Sequence, residues 1–182
     1  MLCIGDKIMD IDNIFSSLIK EIGYQNNKTV VINKVVMNSK EVEKNNLFVA
    51  IRGGNAYANE ALEKGAFVIY DDNTINLNSN PNSFLVDDSV KFMQKLAHQW
   101  RNTLNIKIIG ITGSNGKTTV KDMVFQLLST KYKGKKTEGN YNNHIGLPFT
   151  LLRSEKNDDF MVLEMGMSDF GEIELLAKIS EP

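Results

Sequence analysis

Ile108-Ile109-Gly110-Ile111-Thr112-Gly113-Ser114-Asn115-Gly116-Lys117-Thr118-Thr119 is the stretch on which the reading of this chain turns. It passes from apolar residues through a turn of small ones into a lysine and two threonines. Beyond it, Val120, Met123, Val124, Leu127 and Leu128 recur at the spacing of an amphipathic helix. A buried strand therefore feeds a helix N-terminus through a glycine-rich turn. Backbone N–H groups at such an end lack partners, and the helix dipole favours an anion. Lys117 adds a point charge for terminal phosphates, and the Thr118 hydroxyl is placed to hold Mg²⁺. Gly113, Ser114, Asn115, Gly116, Lys117, Thr118 and Thr119 are thus the candidate nucleotide-binding residues. The spacing departs from G-x-x-x-x-G-K-[ST]: that pattern wants glycine where Ile111 stands, and Gly113 lies three residues before Gly116 instead. A glycine-rich turn capping an ordinary helix is the plain alternative. The strand before the turn and the helix after it argue against that alternative.

The 182 residues suggest one or two domains, at roughly 100–200 residues each. The 21 basic and 22 acidic residues nearly cancel, which argues against a broad nucleic-acid surface. The basic run from Lys131 to Lys136 suits a helix C-terminus and is otherwise expected to be solvated. Cys3 is the only cysteine, so no intrachain disulfide can form and the cytoplasm is the expected compartment. No run is apolar enough for a membrane span. The N-terminus carries Asp6, Asp10 and Asp12 and lacks a signal-peptide core.

The chain in order predicts a helix over 10–23, with Asp10 or Asp12 as cap and Gly23 as its end. Strands follow at 29–37, 46–51, 66–70 and 84–86, with a short helix over 57–64. A long helix over about 88–104 keeps Val90, Met93, Ala97, Trp100 and Leu104 on one face. The domain boundary is placed after it, giving 1–105 and 106–182. The second unit reads strand 106–112, the helix after Lys117, a doubtful strand near 135–138, a buried strand 160–166 and a last helix from Gly171 to Ile179. The fold class is α/β: a small N-terminal α/β sandwich, then the start of a doubly wound parallel-sheet P-loop ATPase domain. So few strands are thin for a nucleotide domain, so the central domain is expected to be incomplete and the Glu164 strand to have an open edge.

Glu164 ends an apolar strand, and in parallel sheets ligands gather at strand C-termini. It is a candidate metal ligand, with a salt bridge at the sheet edge as the alternative reading. Asn140, Asn142, Asn143 and His144 form an amide-rich loop that suits either a ligand or a turn. Ser39, Lys40 and Asn55 are weaker candidates in the first unit.

The phosphate loop resembles the ATP loop of the Mur ligases. So does Gly139-Asn140-x-Asn142-Asn143-x-Ile145-Gly146-x-Pro148 with the following Thr150-Leu151-Leu152. Leu163-Glu164-Met165-Gly166 with Gly171-Glu172-Ile173 resembles the branch that adds D-Ala-D-Ala. Asn38-Ser39-Lys40 with Asn46-Leu47-Phe48-Val49-Ala50-Ile51-Arg52-Gly53 resembles the family's Asp-Ser-Arg … Asp-Leu-Phe-Val-Ala block. Two departures stand out: Lys40 replaces the planar fork of an arginine, and the Asp-Gly-His segment is shortened to Asn55-Ala56-Tyr57-Ala58-Asn59.

The resemblance implies a cytoplasmic ATP- and Mg²⁺-dependent ligase of peptidoglycan precursor synthesis. Its substrates would be UDP-N-acetylmuramoyl-tripeptide and D-Ala-D-Ala, joined through an acyl phosphate. Lys117 and Glu164 would be catalytic, with Thr118 and Glu164 on the metal. Ser39, Lys40, Asn55, Asn142 and Asn143 would contact substrate. The family's carbamylated lysine and C-terminal dipeptide-binding domain have no counterpart in these residues, so the chain alone is expected to be inactive. A non-catalytic nucleotide or UDP-sugar module, another Mur-type ligase and an unrelated phosphate-loop NTPase are the alternatives.

Overall fold

Leu47-Phe48-Val49-Ala50 and Phe67-Val68-Ile69-Tyr70 are buried end to end, as strands covered on both faces must be. The computed structural model describes residues 10–24, 30–77 and 79–182. Cys3, Asp6, Thr29 and Asn78 lie outside the described residues. Strands β1 (Lys34–Val36), β2 (Asn46–Val49), β3 (Phe67–Tyr70) and β4 (Ser83–Leu85) form a parallel sheet in the order β1-β2-β3-β4. Helices α1 (Ile11–Glu21) and α3 (Ser89–Thr103) cover one face, where Leu47, Val49, Phe67, Ile69 and Phe84 join their core. Helix α2 (Ala58–Glu63) covers the other, over Phe48, Val68 and Tyr70. The alternation along each strand sends neighbours to opposite layers.

The second sheet has strands β5 (Lys107–Ile111), β6 (Gly134–Lys136) and β7 (Phe160–Glu164), all parallel, in the order β5-β7-β6. Met161 and Leu163 face α3, α5 (Gly146–Leu151) and α6 (Glu172–Ser180) in the larger core. Phe160 faces α4 (Lys117–Ser129), its ring 5.8 Å from that of Phe125. Helix α3 serves both halves: Phe92 meets the Phe15 ring of α1, and Trp100 Nε1 donates to Ser154 Oγ at 3.1 Å. One apolar cluster runs from α1 through α3 to β7 and α6. No helix among the described residues is long and apolar enough to cross a membrane.

The mixed α/β class with parallel sheets agrees with the sequence reading, and several details differ. The long first strand shrinks to Lys34–Val36. Upstream, the Ile32 N–H is taken by the Asp12 carboxylate at 2.8 Å rather than by a strand neighbour. Glu164 does not sit on an open edge: β7 is central, and β5 and β6 are the outer strands of the described sheet. On α4 the inward face is Lys121, Val124, Phe125 and Leu128, while Val120, Met123 and Leu127 are exposed. Helix α5 is not among the elements that the sequence pattern predicts. It forms because Asn143 Oδ1 accepts from Ile145 N–H and Gly146 N–H, at 3.1 and 2.9 Å, and because Pro148 sits in the first turn, where a missing N–H costs nothing.

Candidate nucleotide and substrate site

Strands β5 and β7 end side by side, with Ile111 opposite Glu164. The chain leaves β5 into the turn 112–116 and re-enters structure at Lys117, the first residue of α4. Gly113 has φ 148° and Gly116 has φ 76°, values that side-chain-bearing residues rarely adopt. The turn can therefore be tight and still aim its N–H groups outward. Residues 112–116 are exposed, and the Lys117 ammonium folds back to donate to the Gly113 carbonyl at 2.8 Å.

Alternation along β7 puts Glu164 on the same face as Phe160 and Val162, under α4. There Thr118 Oγ1 donates to Glu164 Oε2 at 2.9 Å, and Asn142 Nδ2 donates to Oε1 at 2.9 Å. Glu164 is only 4 % exposed. Its N–H donates to the buried Thr137 hydroxyl at 2.9 Å, which fixes the strand end. Gly166 N–H donates to the Asn142 carbonyl at 2.8 Å. A Cβ on Gly166 would come within 3.1 Å of the Asn142 side chain. The asparagine loop and the β7 end are thus closely fitted.

Two hollows open here. One, of about 410 Å³, is bordered by Lys117, Asn142, His144, Gly166 and Glu172. Glu172 accepts from the N–H groups of Ser168 and Asp169, and these bonds, with the nearby His144, hold its carboxyl below the usual range. The other is a cleft of about 950 Å³ between the halves, with Lys34, Asn38 and Arg52 on one wall and Asn140, Tyr141 and Arg153 on the other. Asn143 borders both.

The structure therefore brings together Lys117, Thr118, Glu164, Asn142 and Asn143. It does not bring Ser39, Lys40 or Asn55 to the cleft lining. Ser39 and Lys40 lie in a 3₁₀ turn, Ser39–Glu41, whose flanking Asn38 and Glu41 line the cleft instead. Asn55 is held by Asp71, Nδ2 to Oδ1 at 2.8 Å. Several residues escaped the sequence reading, Lys34, Asn38 and Arg153 on the cleft walls among them. Arg52 reaches the cleft from a left-handed backbone, φ 49°; its signal was the Arg-Gly-Gly turn. Lys121 is buried beside Glu164 at 3.8 Å; its signal was the spacing of four from Lys117.

Mg²⁺ keeps several waters and takes one or two carboxylates plus phosphate oxygens. Glu164 with the Thr118 hydroxyl fits that demand. No group of three His, Cys, Asp or Glu side chains stands ready for a metal among the described residues.

Residues 111–182 match the model of the Mur ligase middle domain. Over 157 residues the chain is 43 % identical to the UDP-N-acetylmuramoyl-tripeptide–D-alanyl-D-alanine ligase of Bacillus subtilis (strain 168), covering 84 % of this chain and 34 % of that protein. Residues 111–182 belong to the Mur ligase family. The Synechocystis enzyme of the same name is 38 % identical, over 83 % of this chain and 34 % of its own length. The Thermotoga maritima MurF ligase, solved in complex with ADP, superposes with a TM-score of 0.74 at 38 % identity, covering 84 % of this chain and 36 % of that one. An Acinetobacter baumannii ligase structure at 24 % identity shares the fold, with a TM-score of 0.80 over 94 % of this chain and 39 % of its own. The chain spans about a third of the length of the curated relatives it matches.

Proposed function

We propose that this chain supplies the nucleotide site and the muramoyl-peptide cleft of a cytoplasmic D-Ala-D-Ala-adding ligase. The observation that carries the reading is Asn143, which borders both the hollow at Lys117 and the larger cleft. A phosphoryl group held at Lys117 and a carboxylate held in the cleft would meet there. Residues 1–105 then form the substrate unit and 106–182 the start of the ATP unit.

In the proposed reaction the γ-phosphoryl group of ATP passes to a carboxylate oxygen at the end of UDP-N-acetylmuramoyl-tripeptide, leaving ADP. The amine of D-Ala-D-Ala attacks the acyl carbonyl, the C–N bond forms, phosphate departs with the C–O bond, and the nitrogen loses a proton. Residues 113–119 hold the phosphates through backbone N–H groups, and Lys117 spreads the charge on the group in transfer. Glu164 and Thr118 would hold Mg²⁺, which supplies further charge neutralisation when bound. Asn142 keeps Glu164 oriented, and Asn143 shapes the passage between the hollows. Arg52 offers the cleft a cationic group for a diphosphate, beside Lys34 and Arg153, which pair with Glu41 and Glu138 of the same lining at 3.4 and 2.7 Å. Ser39, Lys40 and Asn55 stay assigned to the UDP end of the substrate by resemblance alone.

Calorimetric titration tests the reading. Mg·ATP and UDP-N-acetylmuramoyl-tripeptide are each expected to bind this chain saturably, with Arg52→Ala weakening only the second. Nucleotide binding with no response to any UDP-muramoyl peptide would reduce the chain to a nucleotide-binding module. A preference for a shorter muramoyl peptide would assign it to another Mur-type ligase.

A further inference from the structure

Lys121 is the fully buried residue of α4, at 3 % exposure, on a helix whose Val120, Met123 and Leu127 face outward. A buried lysine needs partners. Its ammonium lies 3.8 Å from Glu164 Oε2 and 3.4 Å from Asp122 Oδ1. Asp122 Oδ1 is in turn 2.7 Å from the Lys136 ammonium, which holds the Asp122 carboxyl below its ordinary range. Two lysines on successive turns of α4 thus have different stations. Lys117 is at the phosphate loop, on the Gly113 carbonyl. Lys121 lies beneath the carboxylate, on the same oxygen that Thr118 contacts.

We propose that Lys121 is a positioning residue that acts as a resident counter-cation for Glu164, so that a divalent metal binds there well only when nucleotide phosphates arrive with it. The proposal rests on the reading of Glu164 as a metal ligand. Without metal, Lys121 balances a carboxylate that burial would otherwise make costly. A dication approaching Glu164 meets a positive charge already within 4 Å of the carboxylate, and at such distances repulsion in a partly buried site is strong. Nucleotide phosphates bring negative charge that offsets the repulsion. Asp122 offers the ammonium a second partner when the metal draws on Glu164. Electrostatic opposition and mere structural support predict opposite signs. Removing the lysine charge should tighten metal binding in the absence of nucleotide, whereas a lost support would weaken it.

The test is titration with Mn²⁺, followed by electron paramagnetic resonance, of the full chain with and without ADP. Lys121→Met is expected to raise affinity for Mn²⁺ alone by about tenfold, to leave affinity in the presence of ADP within about threefold, and Lys121→Arg to restore the original behaviour. Unchanged or weaker binding of Mn²⁺ alone by Lys121→Met overturns the proposal. If Lys121→Met does not fold, the same titration of Lys121→Gln decides on the same criterion. Glu164→Gln separates the two levels of the argument. If it abolishes Mn²⁺ binding with ADP while Lys121→Met shows no gain, only the role of Lys121 falls. If Glu164→Gln binds Mn²⁺ with ADP unaltered, the metal role of Glu164 falls and that of Lys121 with it.

Discussion

The Asn142 side-chain amide donates to Glu164 Oε1 at 2.9 Å, joining the asparagine-rich loop to the end of β7. A hydrogen bond to a charged group contributes about 1.5–3 kcal/mol. Asn142→Ala should therefore lower stability by about that amount, read as a shift in the urea midpoint. An unmoved midpoint would show that the loop is held without this bond.

Lys117 has the Gly113 carbonyl as its hydrogen-bond acceptor, a contact that nucleotide phosphates would replace. Lys117→Ala should weaken Mg·ATP binding by roughly 10–100-fold, the worth of one charge-assisted contact. Its stability should change little, because the bond it loses lies at an exposed turn. Calorimetry with unchanged affinity would remove Lys117 from the site.

Phe15 is fully buried and its ring lies 5.3 Å from that of Phe84, 6.0 Å from Phe92 and 6.3 Å from Phe67. Phe15→Ala should cost about 3–5 kcal/mol by leaving a cavity among these rings. Equilibrium unfolding in urea measures it, and a loss below about 1 kcal/mol would mean that α1 re-packs freely.

Glu155 accepts from Lys135 and Lys133 at 2.7 and 2.9 Å. Those two ammonium groups lower its carboxyl from 4.5 to about 2. A depressed folded-state value means that the contribution is complete above the unfolded value and disappears as pH falls through the folded one. Glu155→Gln should therefore be less stable than the parent at neutral pH, and the gap should close between pH 4.5 and about 2. The group is solvent-exposed, so salt should shrink the gap as well. A gap independent of pH would rule out the ion pairs as its source.

Gly146 begins α5, and a Cβ there would lie 2.3 Å from the Tyr141 Cα. The obstacle is backbone, so it cannot swing aside. Gly146→Ala should destabilise the fold by about 1–3 kcal/mol and displace the loop that carries Asn142 and Asn143. Loss of Mg·ATP affinity together with a lowered melting temperature is the expected pair of results. An alanine variant with both unchanged would show that Tyr141 is free to move.

Local patterns were legible in the sequence, and facts created by packing were not. The strand, turn and helix from Lys107 to Ser129 could be read because they are contiguous, and the strand-end position of Glu164 because a carboxylate closing an apolar strand is conspicuous. The burial of α4 was misjudged because an apolar stripe does not say which side of a helix the sheet occupies. Lys121 turned inward, and Met123, at 64 % exposure, turned out. The lysines of 131–136 keep exposed or half-exposed side chains, but the partners of Lys133, Lys135 and Lys136, which are Glu155, Asp158 and Asp122, lie far off in sequence or on another element and could not be read. Arg52 reaches the cleft through a turn whose exit angle depends on its φ of 49°, and Asn38 from the start of the 3₁₀ turn that it caps, neither of which a periodicity encodes.

Because α3 lies in one continuous core with both sheets, neither half can melt while the other keeps its surface covered. Trp100, the only tryptophan, is 7 % exposed and hydrogen-bonded to Ser154 at that seam. The protein thus carries a built-in optical gauge of the join. Its emission should move to the red in a single step, together with the loss of helical circular dichroism, when heat or urea parts the two sheets.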